Sequence, residues 1–514
     1  MEKVLQRLKE ENYDNEKGFL AYLLRSKKEL LETRDISPAE CVQLDHSILE
    51  HDLLIASVKK SIPGDPEIQV QNLSDLGNAR RFAAAHVRDV RYCYPLKEWL
   101  AYDGHRWKGD DTGEIIRRAK KTVGLMYYEA AVTPDEDYRK KLAAHALRSE
   151  SDPKIKAMLS LAQSEPGVSI LPEAMDKNPW LLNVANGTID LRTGELRPHS
   201  REDFITKIAR VDYREDAPYP FWKEHLNKIM AGNTELIFFL QRAFGYSLSG
   251  NTDERAVFIE YGPGANGKTV TNETVARVMG DYALRTPTET LLQKKFAGAI
   301  SNDLARLRGA RFAFASEADE GRKLSESMIK DLSGGDTISA RHLYQEYREF
   351  RPECKLWLAT NHKPVIRGTD NAIWDRIRLI PFTVSIPEKE RIPRRDLMSM
   401  FAEEMPGILT WMVKGCLNWQ GAGLGIPTEV RQATAEYRDE MDVLKNFFNE
   451  CCVIERTAET TAKELNEKYR GWCVENREKP MTQQKLGRRL TEMGFTRERK
   501  MTGYLWVGFG FLSQ

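Results

Sequence analysis

The spacing of apolar and polar positions changes period several times along the chain. From Val4 to Leu31 the apolar residues keep helical spacing, broken near Asn12-Tyr13-Asp14, and Ser61-Ile-Pro-Gly-Asp-Pro66 then reads as a linker. Asn78-Ala-Arg-Arg-Phe82 opens a helix. Trp99-Leu-Ala-Tyr-Asp-Gly-His-Arg-Trp107 alternates around Asp103-Gly104, which predicts a hairpin. Glu114 to Ala131 predicts an amphipathic helix with Arg117, Arg118, Lys120 and Lys121 on its polar side. That cluster reads first as a solvated face, a DNA-contacting surface being the alternative. Alternation returns from Asn186 to Leu196, with turns at Asn186-Gly187 and Thr193-Gly194, and predicts a second short hairpin. Phe221 to Leu248 predicts a helical pair that ends at Gly250.

From residue 255 to 385 strand and helix patterns alternate, which predicts an α/β core with a parallel sheet. Residues 386–440 read as helical. The last stretch has helices near Val443–Glu450 and Ala462–Asn476, a helix within Thr482–Gly494, and a basic hairpin from Arg497 to Val507. That is the outline of a winged helix, with Lys485, Arg488 and Arg489 as its candidate DNA contacts. The expected organisation is a helical segment over 1–70, an α+β domain over 71–250, the α/β core over 251–385, a helical connector over 386–440 and the winged helix over 441–514.

The chemistry centres on Gly262-Pro263-Gly264-Ala265-Asn266-Gly267-Lys268-Thr269. An apolar run, Ala256–Ile259, leads into it and a helical pattern follows. Strand, glycine loop and helix in that order form a phosphate-binding loop. The glycines let backbone N–H groups turn toward phosphate, and the helix N-terminus adds positive potential. Lys268 would reach the β- and γ-phosphates of ATP and Thr269 would hold Mg²⁺. The best candidate strand for the acid, Arg311-Phe-Ala-Phe-Ala-Ser316-Glu317, carries Glu317 to its carboxyl end, where ligands sit in open α/β sheets. Glu317 is the candidate metal ligand and water-polarising acid, with Asp319 and Glu320 able to share the role. Lys355–Asn361 reads as a buried strand ending in a residue that can orient the attacking water or sense the γ-phosphate. Arg376 and Arg378 precede an apolar run. They suit either a structural salt bridge or the γ-phosphate of a neighbouring subunit. Lys330–Arg348 has a Gly-Gly turn and then alternating residues, and reads as a hairpin with basic and aromatic side chains. A plain structural hairpin and one that tracks a nucleic-acid backbone are equally compatible with it.

Composition limits the partners. The 514 residues carry a net charge of +1, so any nucleic-acid site must be a local patch. The seven cysteines are scattered without a CxxC pair, which argues against zinc and fits a reducing cytoplasm. No apolar run approaches membrane-spanning length, so no membrane partner is expected.

GPGANGKT, FAFASE, LSGGDTISARHLY, LWLATN and IWDRIRLIPF, in this order, resemble a superfamily 3 helicase, a ring-forming branch of the AAA+ ATPases. More narrowly they resemble the helicase half of phage and plasmid primase-helicases, related to the poxvirus primase-helicase. Residues 76–130 and 179–250 are similar to the domain that precedes the ATPase in that family. The resemblance implies an AAA+ core with Lys268 and Thr269 as the Walker A pair, Glu317 as the Walker B acid and Asn361 as the sensor. It implies Arg376 as the arginine finger and Arg378 as a second phosphate sensor. Arg341, His342 and Tyr344 fall where the family has its DNA-contacting pore hairpin. A hexamer gripping single-stranded DNA in its pore is implied, with movement 3′ to 5′, duplex or fork contacts through the winged helix, and service in phage, prophage or plasmid replication. An initiator or loader, and an ATP-switched DNA-binding regulator, are the rival readings. Relatives often carry a polymerase-like domain upstream. Only about 70 residues precede the similar region here, so primer synthesis is not expected of this chain and a separate primase is a possible partner.

Overall fold

The computed structural model describes residues 71–293, 302–316, 321–340, 348–368, 371–500 and 503–512. The expected N-terminal helices and the linker at 61–66 lie outside the described residues. Two compact units form. One runs to Pro172 without 104–107, and the other holds 104–107 and everything from Glu173. The stretch 71–250 is therefore divided between them.

The first unit contains helices α1 Asp75–His86, α2 Glu114–Val132, α3 Glu136–Ser149 and α4 Asp152–Ala162. Strand β1 Val90–Cys93 pairs antiparallel with β2 Glu98–Tyr102. Ser74 and Asp135 cap α1 and α3 by accepting from free first-turn amides. Ile115, Ala119, Val123, Met126 and Ala130 give α2 one apolar stripe, buried against Phe82, Leu142 and Met158. On its polar side Arg117 and Arg118 both pair with Glu114.

In the second unit, β3 Leu181–Val184, β4 Gly187–Asp190 and β5 Glu195–Arg197 form an antiparallel meander. The alternating pattern marked its last two strands. Helices α5 Pro220–Ile229 and α6 Thr234–Leu248 follow as expected. Then come β6 Val257–Tyr261, α7 Lys268–Met279, β7 Ala283–Arg285, β8 Phe312–Ser316, α8 Glu326–Gly334, β9 Ile338–Ala340, β10 Arg348–Phe350, β11 Lys355–Thr360 and β12 Ile377–Pro381. Five of these strands make one sheet in the order β12-β6-β11-β8-β7. Every pair in it is parallel.

Because both faces are covered, the strands are near-continuous apolar runs. Phe258, Phe312, Phe314, Trp357 and Ile380 pack beneath α5–α7 and the following helices α9 Arg394–Glu403 and α10 Met405–Ala422. Phe244 stacks on Trp357 with centroids 4.2 Å apart. Helices α6 and α10 meet closely at Gly245, where a Cβ would stand 2.2 Å from the Cys416 amide nitrogen. Val257, Ile259, Leu356, Leu358 and Leu379 face α8 and α11 Thr428–Met441, with Tyr437 buried among them.

The chain ends in α12 Val443–Cys451, β13 Cys452–Thr461, α13 Ala462–Glu475, α14 Gln483–Glu492, β14 Thr496–Lys500 and β15 Gly503–Phe511. The three strands form an antiparallel sheet in the order β13-β15-β14. Strand β13 escapes the sequence pattern because it is a polar edge, broken by a bulge between Ile454 and Glu459. Cys93, Cys354, Cys416, Cys452 and Cys473 are buried free thiols, and Cys451 is half-buried. No described helix is long and apolar enough to cross a membrane.

Candidate nucleotide-binding site

Strand β6 ends at Tyr261 and α7 begins at Lys268, so Gly262–Gly267 forms the connecting loop at the carboxyl edge of the sheet. Its start is clamped against the end of β12. The Phe382 amide donates to Tyr261 O at 2.7 Å, and a Cβ on Gly262 would lie 2.0 Å from Phe382 O. Gly267 enters α7 at φ +85°, in the left-handed region open to glycine. Ala265 accepts from the Ile386 amide, and Asn266 Nδ2 donates to Phe382 O. The backbone N–H groups from Gly264 through Thr269 donate to no acceptor among the described residues. A row of bare amides at a helix N-terminus is an anion cradle, so the loop fits a phosphate chain.

Lys268 is buried beneath that cradle. Its Nζ donates to Gly262 O at 2.7 Å, Pro263 O at 3.1 Å and Asn361 Oδ1 at 3.0 Å. Asn361 reaches it because Thr360 pairs with Tyr261, which brings the residue after β11 beside the loop. Burial lowers the Lys268 ammonium to about 8, opposed by the nearby Glu260. Thr269 is exposed at the loop rim, free to meet a metal ion. Ser316, the last residue of β8, pairs beside Ala359. Glu317 follows it directly but lies outside the described residues, as do Asp319 and Glu320. Among the described residues no cluster of His, Cys, Asp or Glu forms a metal site.

Arg376 and Arg378 sit at the other end of the sheet. The Val257 amide, at the start of β6, donates to Arg376 O, and Arg378 pairs with Phe258. Arg376 Nε donates to Ser333 Oγ at 3.2 Å and its guanidinium also reaches Ala372 O. Arg378 donates to Asp375 O at 2.6 Å and Ile377 O at 3.0 Å. Neither forms an ion pair among the described residues, so the structural salt bridge is absent there. Strands β9 and β10 pair antiparallel and form the stem of the expected hairpin. Its tip, with Arg341, His342 and Tyr344, lies outside the described residues.

In the terminal unit Lys485 and Arg488 are exposed on α14. Arg489 instead bonds Asp442 at 2.8 Å and Glu492 at 2.9 Å, fixing α14 to the start of α12. Arg497 lies 3.7 Å above the Tyr504 ring on the β14–β15 hairpin.

Three buried residues around the loop escaped the sequence reading. His225 on α5 bonds Thr271 Oγ1 at 3.0 Å, and burial lowers its imidazole to about 4. Glu260 and Asn272 bond each other below the loop. The available signal was an acid closing the apolar run Val257-Phe-Ile259 immediately before the glycine loop.

A parallel sheet whose carboxyl edge presents a glycine loop with bare amides and a buried lysine fits a P-loop-like core. The family described as "D5 N terminal like" matches residues 79–231, and a family of unknown function, DUF5906, matches residues 261–376. The chain is 27% identical over 430 residues to "Putative helicase L207/L206" of Acanthamoeba polyphaga mimivirus, covering 75% of this chain and 44% of that protein. It is 26% identical over 407 residues to "Putative primase C962R" of African swine fever virus strain Badajoz 1971, covering 72% of this chain and 42% of that protein. The chain thus spans less than half the length of these viral relatives. A solved apo structure of the NrS-1 C-terminal region aligns at a TM-score of 0.45 and 11% identity, over 84% of this chain and 98% of that one. The resemblance carried by the motifs therefore stands: the chain is similar to helicase and primase proteins of large DNA viruses and fits a superfamily 3 helicase of the primase-helicase type.

Proposed function

We propose that the chain is an ATP-driven DNA helicase of superfamily 3, with an AAA+ core, a C-terminal winged helix and a hexameric ring as its working form. One observation carries the reading: Lys268 and Asn361 meet beneath a row of unpaired amides at the carboxyl edge of a parallel sheet. In this reading the amides from Gly264 to Thr269 and the Lys268 ammonium hold the β- and γ-phosphates. Thr269 and Glu317 hold Mg²⁺, which when bound offsets charge on the phosphate oxygens. Asn361 exchanges its bond to Lys268 for the attacking water or the γ-phosphate.

The position of Arg376 supports action between subunits. It precedes β12, and a five-residue strand separates the amino and carboxyl edges of the sheet by roughly 16 Å at ~3.3 Å per residue. Its guanidinium therefore suits a neighbour's γ-phosphate better than its own. DNA contact is assigned to the tip of the β9–β10 hairpin and to the terminal unit. The order helix, strand, helix, helix, strand, strand in that unit supports a winged helix, with exposed Lys485 and Arg488 on α14 and Arg497 on the wing. Arg489, engaged by two carboxylates, contributes chiefly to holding α14 in place.

The test is separation of a forked DNA duplex with ATP and Mg²⁺ by wild type, Lys268→Ala and Arg376→Ala. Strand separation by wild type alone is the expected result. ATP hydrolysis without strand separation would replace the helicase reading with that of a loader or an ATP-switched DNA-binding protein.

A further inference from the structure

Glu260 stands two residues before Gly262 on β6, and Asn272 stands four residues after Lys268 on α7. The two side chains bridge the strand that enters the phosphate loop and the helix that leaves it. Both are sealed from solvent, at 0% and 1% exposure. Asn272 Nδ2 donates to Glu260 Oε2 at 2.5 Å. The other oxygen of each group, Glu260 Oε1 and Asn272 Oδ1, is buried and has no hydrogen-bond partner. No ion pair to Glu260 forms among the described residues. Lys268, the cation whose field reaches it, directs its hydrogen bonds to Gly262 O, Pro263 O and Asn361 instead. The residues paired with Glu260 on the adjacent strands, Ala359 and Ile380, are apolar.

Two bare acceptors and an unpaired carboxylate in one dry site are unfavourable. A single proton resolves all three: a carboxyl O–H donates to the Asn272 carbonyl oxygen while the Asn272 amide donates back. We propose that Glu260 is held as the neutral acid and joins Asn272 in a carboxylic acid–carboxamide pair with two hydrogen bonds, which makes Glu260 a positioning residue for Lys268. Burial acts in the same direction, pushing the carboxyl up to about 8 against the weaker pull of Asn272 and Lys268. The neutral form also suits the site. An ionised carboxylate below the loop would compete with phosphates for Lys268 and repel them, whereas a neutral acid ties β6 to α7 without opposing the anion. The positioning role rests on the ATPase reading; the protonation state does not.

The test compares the full chain with its Glu260→Gln and Glu260→Ala variants in two measurements. The first is the urea midpoint against pH, wild type minus Glu260→Gln, in which titrations common to both cancel. A folded-state pKa raised above the unfolded value gives stability that is present at low pH and lost as pH rises. The wild-type midpoint should therefore fall relative to Glu260→Gln from about pH 4.5 to about pH 8 and then level. A flat or rising difference overturns the proposal.

The second measurement is ATP hydrolysis at neutral pH. Glu260→Ala should raise KM for ATP by about tenfold, the equivalent of one lost net hydrogen bond. Glu260→Gln, which reproduces the neutral pair, should rescue it. Equal losses in both variants would show that an ionised carboxylate is needed and overturn the proposal. Should Glu260→Ala not fold, the pH arm and Glu260→Gln still decide. If wild type hydrolyses no ATP, the ATPase reading fails while the pH arm still judges the proton.

Discussion

The two edges of the five-stranded sheet each bury a lysine, and they treat it differently. At the amino edge Lys355 opens β11. Its Nζ donates to the carbonyl oxygens of Ser249, Asn251 and Glu353 and lies 4.8 Å from the Tyr246 ring centroid. Beside it Arg311 donates to Leu248 O at 2.9 Å and sits over the Tyr282 ring. The backbone there is used as well, with the Lys355 amide on Arg311 O and the Arg311 amide on Tyr282 O. At the carboxyl edge Lys268 also touches carbonyls, but the amides around it are bare. Burial lowers Lys355 further, to about 7 against about 8 for Lys268. The more perturbed lysine is thus the one sealed from solvent with its ammonium on three carbonyls. What separates a site from a staple here is the row of unpaired backbone amides around the cation, not the size of its shift.

Replacing each lysine should break this contrast in opposite ways. Lys355→Met keeps the volume but strands three carbonyls, and should cost about 3–4 kcal/mol of stability in urea unfolding. Its sign with pH is fixed by the lowered ammonium. Between about pH 7 and about pH 10.5 the unfolded chain holds the proton that the folded chain has released, so wild-type stability gains on Lys355→Met as pH rises through that window. Lys268→Ala also frees three acceptors, but Pro263 and Asn361 are exposed and water can reach them. The urea midpoint should therefore stay within about 1 kcal/mol of wild type while ATP hydrolysis falls by about 100-fold or more, which is about 2.7 kcal/mol of barrier. A stability loss in Lys268→Ala matching that in Lys355→Met would erase the distinction between the edges.

The carboxyl edge was largely legible in the sequence because the phosphate-loop pattern is a local one. Glycines, lysine and threonine are contiguous, and the flanking strand and helix follow by periodicity. Asn361 could be placed for a similar reason, since it closes a buried apolar run. The amino edge was not legible. Lys355 and Arg311 contact Leu248, Ser249 and Tyr282, which are far from them in sequence, and nothing local marks a charged residue at a strand start as buried. Glu260 was missed for the same reason: its partner Asn272 is set by the packing of α7 on β6. In the terminal unit β13 failed the strand pattern because most of its residues face solvent and the bulge breaks the alternation.

Arg376 offers a sharper division of the same two edges. It belongs to the amino edge, while the phosphate loop belongs to the carboxyl edge. If the arginine serves a neighbouring subunit, Lys268→Ala and Arg376→Ala are each inactive alone yet complement each other when mixed. Random mixing at equal ratio gives about one quarter of sites an intact lysine and an intact neighbouring arginine, so hydrolysis should return to about one quarter of wild type. No recovery on mixing, under conditions where the subunits exchange, would assign Arg376 to its own subunit or to structure.

The smallest effect concerns how the carboxyl edge is tied to the rest of the unit. Asn361 begins a segment that is held along its length. Lys363 bonds Glu440 at 2.7 Å, Tyr437 donates to Pro364 O, Glu326 accepts from the amides of Arg367 and Gly368, and Arg367 pairs with Glu478 of the terminal unit. The amino edge has no such tether to the terminal unit among the described ion pairs. The Arg367 side chain is 35% exposed, so solvent screening limits the stability cost of Arg367→Ala to under about 1 kcal/mol. Its effect should appear instead in coupling. Hydrolysis without DNA should stay near wild type because Lys268 and Asn361 are untouched, while stimulation by single-stranded DNA should fall by about two- to fivefold, the range of a coupling near 1 kcal/mol. The restoring variant is Arg367→Lys, which keeps the charge opposite Glu478. Unchanged stimulation in Arg367→Ala would mean that DNA is sensed at the loop through the β9–β10 hairpin alone, and that the contact with Glu478 only steadies the terminal unit.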